Sequence, residues 1–260
     1  MTFTPEDFDT HFNKWKEWPT TPWNRLLYST LHCNLQRHLG TPPLHILDVG
    51  GGNGEDALFL ARLGHTVALV DFSAEMLTDA RKCAAEIGVA DKISLHQADV
   101  AELVGLFADS HFDVILCHNM IKFVDDSFAL LRDLCDMLKQ DGWLSITAIN
   151  PYSEVYRQAT FLNDLSAAQE AIGQRNARHP WFDKVETRHA PENLIQFLES
   201  LGCTLLGHYG LRCIVDYLTD NEAKFDPEYF SELEKLEHAL TDQYPYYLLA
   251  RMFQIVVRKG

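Results

Sequence analysis

The chain has 260 residues, 47% of them hydrophobic, which is enough for one large domain, or one domain plus a small cap, and too long for a disulfide-stapled miniprotein. Lysine and arginine total 22 against 37 aspartates and glutamates, a net charge of −15. The global field therefore repels phosphate, which excludes a broad nonspecific grip on nucleic acid or an anionic membrane; any anionic partner has to be met by a local patch.

The six cysteines, Cys33, Cys83, Cys117, Cys135, Cys203 and Cys213, form no CxxC, and the twelve histidines no HExxH. They read as reduced, mostly buried small hydrophobes, and no metal is implied. The opening MTFTPEDFDTHF lacks the charged and apolar regions of a secretory signal, and no apolar run approaches the roughly 20 residues needed to cross a bilayer. The expectation is a soluble, cytoplasmic protein without a membrane partner.

Residues 1–43 read as a helical segment that acts as an N-terminal lid, with Phe8, Phe12 and Trp15 at helical spacing as packing positions. Residues 44–260 read as the main domain. From residue 44 strands and helices alternate: LHILDV, a glycine turn, EDALFLARLG, TVALVD, SAEMLTDARKCAAEIG, KISLHQAD, HFDVILCH, DSFALLRDLCDML, a KQDG turn at 139–142, and WLSITAIN. Strands that are almost continuously apolar, separated by helices of period near 3.6, predict a parallel sheet covered on both faces, an α/β doubly wound Rossmann-like fold.

After Asn150 the pattern changes to helix and loop, predicted as a helical insertion over the carboxyl edge of the sheet at 151–190. PENLIQFLESLG then reads as a helix, with proline near its start and glycine at its end. It is followed by strand-like TLLGHYGLRCIVDYL, an acidic segment, and a last strand RMFQIVVRK, for seven strands in all. The acidic segment, Asp216 to Asp242, carries nine acids and two lysines, with Phe225, Tyr229, Leu233 and Leu236 at helical intervals, as in an amphipathic outer helix.

DVGGGNGE places Gly50, Gly51, Gly52 and Gly54 between a strand and a helix, where the backbone turns tightly and can approach a ligand without Cβ atoms in the way. Where a dinucleotide fingerprint has its third glycine this chain has Glu55, whose charge at a helix N-terminus repels a pyrophosphate. Asp71 ends the second strand, placed to accept both ribose hydroxyls of a nucleoside. Asp99 ends the third, placed to accept from an adenine amino group, with Ala98 and Val100 flanking the ring. Asp48 reads as a turn anchor, and Phe72 and Met76 as core or adenine packing. His118 lies just past the fourth strand, either as a contact to a cofactor or as a general base.

Glycine turn, first acid and second acid in this order resemble the ligand pattern of class I S-adenosylmethionine methyltransferases. FDTHFNKW, Arg25 after TTPWN, ILDVGGGNG, GHTVALVDFSAEML, His118 with FVDD, GLRCIVDYL and LEKLEHALTDQYPYYLLARMFQIVVRK extend the likeness beyond the cofactor core. They resemble the bacterial tRNA methyltransferases that esterify the carboxyl of wobble 5-carboxymethoxyuridine. The resemblance implies S-adenosylmethionine as cofactor, contacted by Arg25, Gly50, Gly51, Asp71 and His118, and tRNA as partner.

Where the enteric members are expected to carry a lysine-rich run, this chain has GQRNARHPWFDKVETRH. There Arg175, Arg178, Lys184 and Arg188 outnumber Asp183 and Glu186 by two. This is a modest phosphate-facing patch or a solvated loop of mixed charge.

A carboxylate acceptor, with a pKa of about 4, is already ionised and needs cationic or hydrogen-bonding groups rather than a base. Arg157, Arg212, Arg251, Tyr152 and Tyr246 are candidates, Arg212 and Arg251 foremost, with burial of each arginine against the acidic helix as the plain alternative. A hydroxyl or amine of a small metabolite would instead make His118 the base. A third reading is a nonenzymatic module that binds S-adenosylmethionine as a signal.

Overall fold

The computed structural model describes residues 3–11, 17, 20–41, 43–179, 181–182 and 184–260; Phe12, Trp15 and Asp183 lie outside them. Strand β1 (His45–Val49) is buried from Ile46 onward, and a strand buried on both faces needs cover on both. It pairs in parallel with β2 (Thr66–Asp71) and β4 (Phe112–His118). β2 carries β3 (Ile93–Gln97), and β4 carries β5 (Leu138–Ile149), again in parallel. β8 (Cys203–Leu211) and β9 (Met252–Lys259) close the sheet in antiparallel, with β9 inserted against β5. The result is a seven-stranded sheet of order β3-β2-β1-β4-β5-β9-β8. Order reverses between β1 and β4, and in an open α/β sheet the ligand crevice lies outside the carboxyl ends at that switch point.

Alternate residues of each strand feed two cores. Leu47, Val49, Val70, Ile115, Cys117, Ile146 and Ile255 pack under α6 (Ser127–Met137) and α9 (Pro191–Ser200) through Leu130, Leu134, Leu194 and Leu198. Ile46, Val67, Leu69, Val114, Leu116 and Val256 pack on the other face. There they meet Leu27, Leu31 and Leu35 of α2 (Pro22–Gln36), Leu60 of α3 (Glu55–Arg62) and Leu77 of α4 (Ala74–Glu86). The acidic segment supplies α10 (Pro227–Leu240), whose Phe230 and Leu233 pack on Leu26.

Four local features differ from the sequence expectation. KQDG does not separate a helix from a strand but is looped out within β5, where pairing jumps from Phe112↔Leu138 to Val114↔Trp143. β8 stops at Leu211 because Arg212 adopts φ 61°, outside strand geometry. Asp99 is not the end of β3 but caps the following turn, its Oδ1 accepting the Ala101 N–H at 2.9 Å. Besides its helices, α7 (Ser153–Tyr156) and α8 (Leu165–Glu170), the insertion holds a hairpin, β6 (Asn176–Arg178) with β7 (Val185–Thr187). No helix among the described residues is long and apolar enough to cross a membrane.

Candidate active site

A cavity of about 580 Å³ opens at the switch point, lined by Gly50, Gly51, Gly52, Asp71, Asp99, Val100 and His118 of the predicted residues, and also by Asp48, Phe72, Asp56 and Tyr28. The glycine loop is pinned on β2: the Gly50 and Gly51 N–H groups donate to Val70 O at 2.8 and 3.2 Å. Gly50 takes φ 67°, and a Cβ there would meet Met120 Cγ at 2.5 Å; at Gly51 it would meet Asp48 Oδ2 at 2.5 Å. The loop can lie this close to Met120 and Asp48 only without side chains.

Asp71 is held by the loop it faces, Oδ2 accepting from Gly52 N and Oδ1 from Ser73 N, both at 2.9 Å. Each oxygen keeps a lone pair for a further donor. Burial pushes its carboxyl up to about 6, against the pull of those N–H groups. Asp48 is buried, its Oδ2 has no hydrogen-bond partner, and burial, then Asp56 and Asp71, raise its pKa well above the ordinary range.

His118 is the middle of a chain that crosses the sheet. Nδ1 lies 2.6 Å from Asp56 Oδ2 and Nε2 2.8 Å from Ser145 Oγ. Ser145 in turn accepts from Gln254 Nε2 at 3.0 Å. One direction satisfies both ring nitrogens: Nδ1–H donates to Asp56, and the Ser145 hydroxyl donates to Nε2, while Gln254 Oε1 keeps no partner. The other Asp56 oxygen meets His32 Nε2 at 2.7 Å, whose ring stacks on Phe59 at 3.9 Å. Burial, which alone would raise it, is outweighed by His118 and His32, so the Asp56 carboxyl sits well below its usual range.

Three predicted residues lie elsewhere. Arg25 lines a neighbouring cleft of about 510 Å³, its guanidinium 4.2 Å from the Phe230 ring centre. Arg212 is tied to Asp216 bidentately through Nε and Nη2, and its Nη1 donates to Asn24 Oδ1 at 3.2 Å. Arg251 donates to Glu154 Oε2 at 2.8 Å and Ser153 Oγ at 3.1 Å. Sequence reasoning missed Asp56, His32, Ser145 and Gln254. Asp56 reads as an ordinary helix-start acid, and only its burial, at 7% exposure, marks it.

The cavity tests a cofactor by charge. Eight carboxylate residues line it, and among the described residues no lysine or arginine does. That field repels phosphate and favours a ligand bearing a sulfonium and an ammonium. The side-chain-free glycine cradle and the free lone pairs of Asp71 fit its ribose. Among the described residues no cluster of His, Cys, Asp and Glu could hold a metal.

A methyltransferase domain matches residues 47–146, the stretch that carries the glycine loop, Asp71, Asp99 and His118. The chain has the fold of solved S-adenosylmethionine-dependent methyltransferases. One from Thermotoga maritima superposes with a TM-score of 0.64 at 17% identity, covering 99% of this chain and 100% of that one. Magnesium protoporphyrin IX methyltransferase from Synechocystis PCC 6803, with bound S-adenosylhomocysteine, gives 0.62 at 15% identity over 98% and 96% of the two chains. The chain thus carries a methyltransferase domain on the fold of S-adenosylmethionine-dependent methyltransferases, with a cavity suited to that cofactor.

Among curated relatives, the tRNA 5-carboxymethoxyuridine methyltransferase of Escherichia coli K12 is 29% identical over 223 residues, 85% of this chain and 82% of that one. The ubiquinone biosynthesis O-methyltransferase of Actinobacillus pleuropneumoniae is 35% identical over 114 residues, 43% and 48% of the two chains.

Proposed function

We propose that the enzyme transfers the methyl of S-adenosylmethionine to the carboxylate of wobble 5-carboxymethoxyuridine in tRNA, forming an ester in the cytoplasm. The observation that carries this reading is the engagement of both His118 ring nitrogens inside the protein. To accept a proton from a hydroxyl or amine, the imidazole would have to break its bond to buried Ser145. A carboxylate acceptor asks for no such proton transfer, because it is ionised at neutral pH. The likeness to the E. coli tRNA enzyme along most of both chains supports the same acceptor, whereas the O-methyltransferase match spans less than half of each.

When bound, the cofactor supplies an electrophilic methyl on a sulfonium. Asp71 would hold the ribose hydroxyls, Gly50, Gly51 and Gly52 would let the backbone approach the amino-acid end, and Asp99 and Val100 would flank the adenine. His118, locked by Asp56 and Ser145, serves as a fixed wall of the cavity rather than a base. The protein's contribution to an in-line transfer is alignment and removal of water. Residues 1–43 would act as a lid: Phe3 and Phe8 line the cavity and pack on Phe123 and Phe182 of the facing loop and insertion. Arg25 would reach the cofactor carboxylate on leaving Phe230, while Arg212 and Arg251 would border the acceptor.

Labelled methyl transfer to tRNA carrying the free carboxyl tests this, with alkali-labile label on a modified uridine as the expected result. Label that survives mild alkali would overturn it.

A further inference from the structure

Where β5 ends, the chain turns through Asn150 into α7, and the charges gathered there do not balance. Glu154 Oε2 accepts from Arg251 Nη1 at 2.8 Å and Arg188 Nη1 at 3.0 Å, while Oε1 lies 3.6 Å from Arg157 Nη1. Arg188 Nε also donates to Glu186 Oε1 at 3.0 Å, and Glu186 Oε2 lies 3.7 Å from Lys122 Nζ. This connected network holds four cations and two carboxylates.

Its side chains are sheltered: Glu186 is 0% exposed, Lys122 5%, Arg188 11% and Arg251 14%. Two uncompensated positive charges at such depth interact strongly, because little water screens them. Asp216 also acts on Arg157, but both its oxygens are engaged by Arg212, so it offsets the excess only in part. Burial, followed by Arg251, lowers the Arg157 pKa from its usual value, and burial brings Lys122 down to about 8. Both are the directions expected of buried cations with further cations nearby.

The network adjoins the cofactor cavity. Arg251 precedes Met252 and Lys122 precedes Phe123, and both Met252 and Phe123 line the cavity. Ile149 pairs with Met252, and the Asn150 N–H donates to Arg251 O at 3.0 Å. The acidic cavity and the cationic cluster thus draw on adjacent residues of the chain. A cationic methyl donor is drawn to one, and an anion that the first repels is drawn to the second.

We propose that Arg157, Arg188 and Arg251, gathered on Glu154, form the binding site for the carboxylate of the methyl acceptor, with Arg157 making the bidentate contact. The proposal rests on the carboxylate reading above. Arg157 is the most exposed of the set, at 29%, and meets Glu154 only at 3.6 Å. Its guanidinium fork is therefore the one free to turn to a ligand without giving up a short bond. Glu154 holds the cluster together while leaving it cationic. A hydroxyl or amine acceptor would leave that excess charge unanswered, so the cluster selects for an anion.

The test uses the S-adenosylhomocysteine-loaded protein and methoxyacetate, the acid fragment of a carboxymethoxy group, titrated by NMR against its neutral methyl ester and against inorganic phosphate. Methoxyacetate is expected to bind at least tenfold more tightly than the ester, as befits a charge-assisted pair. Arg157→Gln should remove that preference and Arg157→Lys should restore part of it, with S-adenosylhomocysteine affinity unchanged in both. Methoxyacetate binding that survives Arg157→Gln, or phosphate binding that displaces methoxyacetate at equal concentration, overturns the proposal.

Methyl transfer to tRNA separates the two ideas. Arg157-dependent methoxyacetate binding without transfer to carboxyl-bearing tRNA upholds the anion site and sinks the tRNA reading. Transfer with an unchanged KM in Arg157→Gln upholds the tRNA and sinks the site.

Discussion

Gly51→Ala isolates what the glycine loop requires. A methyl at this position would lie 2.5 Å from Asp48 Oδ2, 2.7 Å from Asp48 Cγ and 2.9 Å from Leu69 Cγ, well inside the 3.5–4.0 Å optimum for nonbonded contact. Neither neighbour can retreat. Asp48 is 1% and Leu69 0% exposed, and they face each other in the β1–β2 register. Overpacking of this kind costs about 1–3 kcal/mol, which for a chain of this size lowers Tm by roughly 2–12 °C.

Gly52 is the control. It takes φ 55°, and a Cβ there meets nothing within 4 Å. Its alanine variant would cost only the left-handed backbone penalty of about 1–2 kcal/mol, which asparagine lessens. Scanning fluorimetry and calorimetric titration with S-adenosylhomocysteine distinguish the two. Gly51→Ala should lower Tm and weaken binding about tenfold, with serine no better, whereas Gly52→Asn should recover much of the Gly52→Ala loss. A Gly51→Ala protein with unaltered Tm and affinity would refute the crowding argument.

Three further outcomes follow from the site's electrostatics. The Asp71 pKa is raised to about 6, so the ligand-free protein binds that proton more tightly than the unfolded chain does. Its stability therefore falls as pH rises from about 4 to about 6. Donors on a bound ribose favour the ionised form, so affinity for S-adenosylhomocysteine should strengthen as pH rises through 6, and in Asp71→Asn it should be weak and flat over the same range. Asp56→Asn leaves His118 and His32 without their shared carboxylate. It should cost about 3–5 kcal/mol, as removing one partner of a buried pair does, read as a fall in chemical-denaturation midpoint. Burial alone would raise the Glu154 pKa, but Arg251 and then Arg188 prevail and hold it at about 2. The stability it lends, about 3 kcal/mol, is complete above its ordinary pKa and is lost as pH falls from about 4.5 to about 2. Acid titration of Glu154→Gln should lack that limb.

Much of the cofactor half was legible in the sequence because it depends on local chemistry. A glycine run between an apolar strand and a helix, and Asp71 at the end of the second strand, announce a turn and the acid that faces it whatever the rest of the chain does. The carboxyl-edge position of His118 was legible for the same reason. Its partners were not, since Asp56, Ser145 and Gln254 come from three separate elements, and only sheet pairing brings β4, β5 and β9 side by side. The arginine cluster hid likewise. Arg251 and Arg157 could be named as candidates, but Glu154, the carboxylate that gathers them, lies in an insertion whose pattern promised only helix and loop. The β6–β7 hairpin, which delivers Glu186 and places Arg188 just beyond it, spans too few residues for its alternation to be read. Arg25 shows the converse: a residue named by resemblance whose side chain rests on Phe230 of a helix distant in sequence.

Methylation of a carboxylate on tRNA is measured with the purified enzyme and labelled S-adenosylmethionine. The acceptors are two tRNA preparations, one carrying wobble 5-carboxymethoxyuridine and one with unmodified wobble uridine. Label is expected only on the first, released by mild alkali, with a rate that shows no loss at His118→Gln beyond its weaker cofactor binding. Equal labelling of both preparations, or label that withstands alkali, would contradict it.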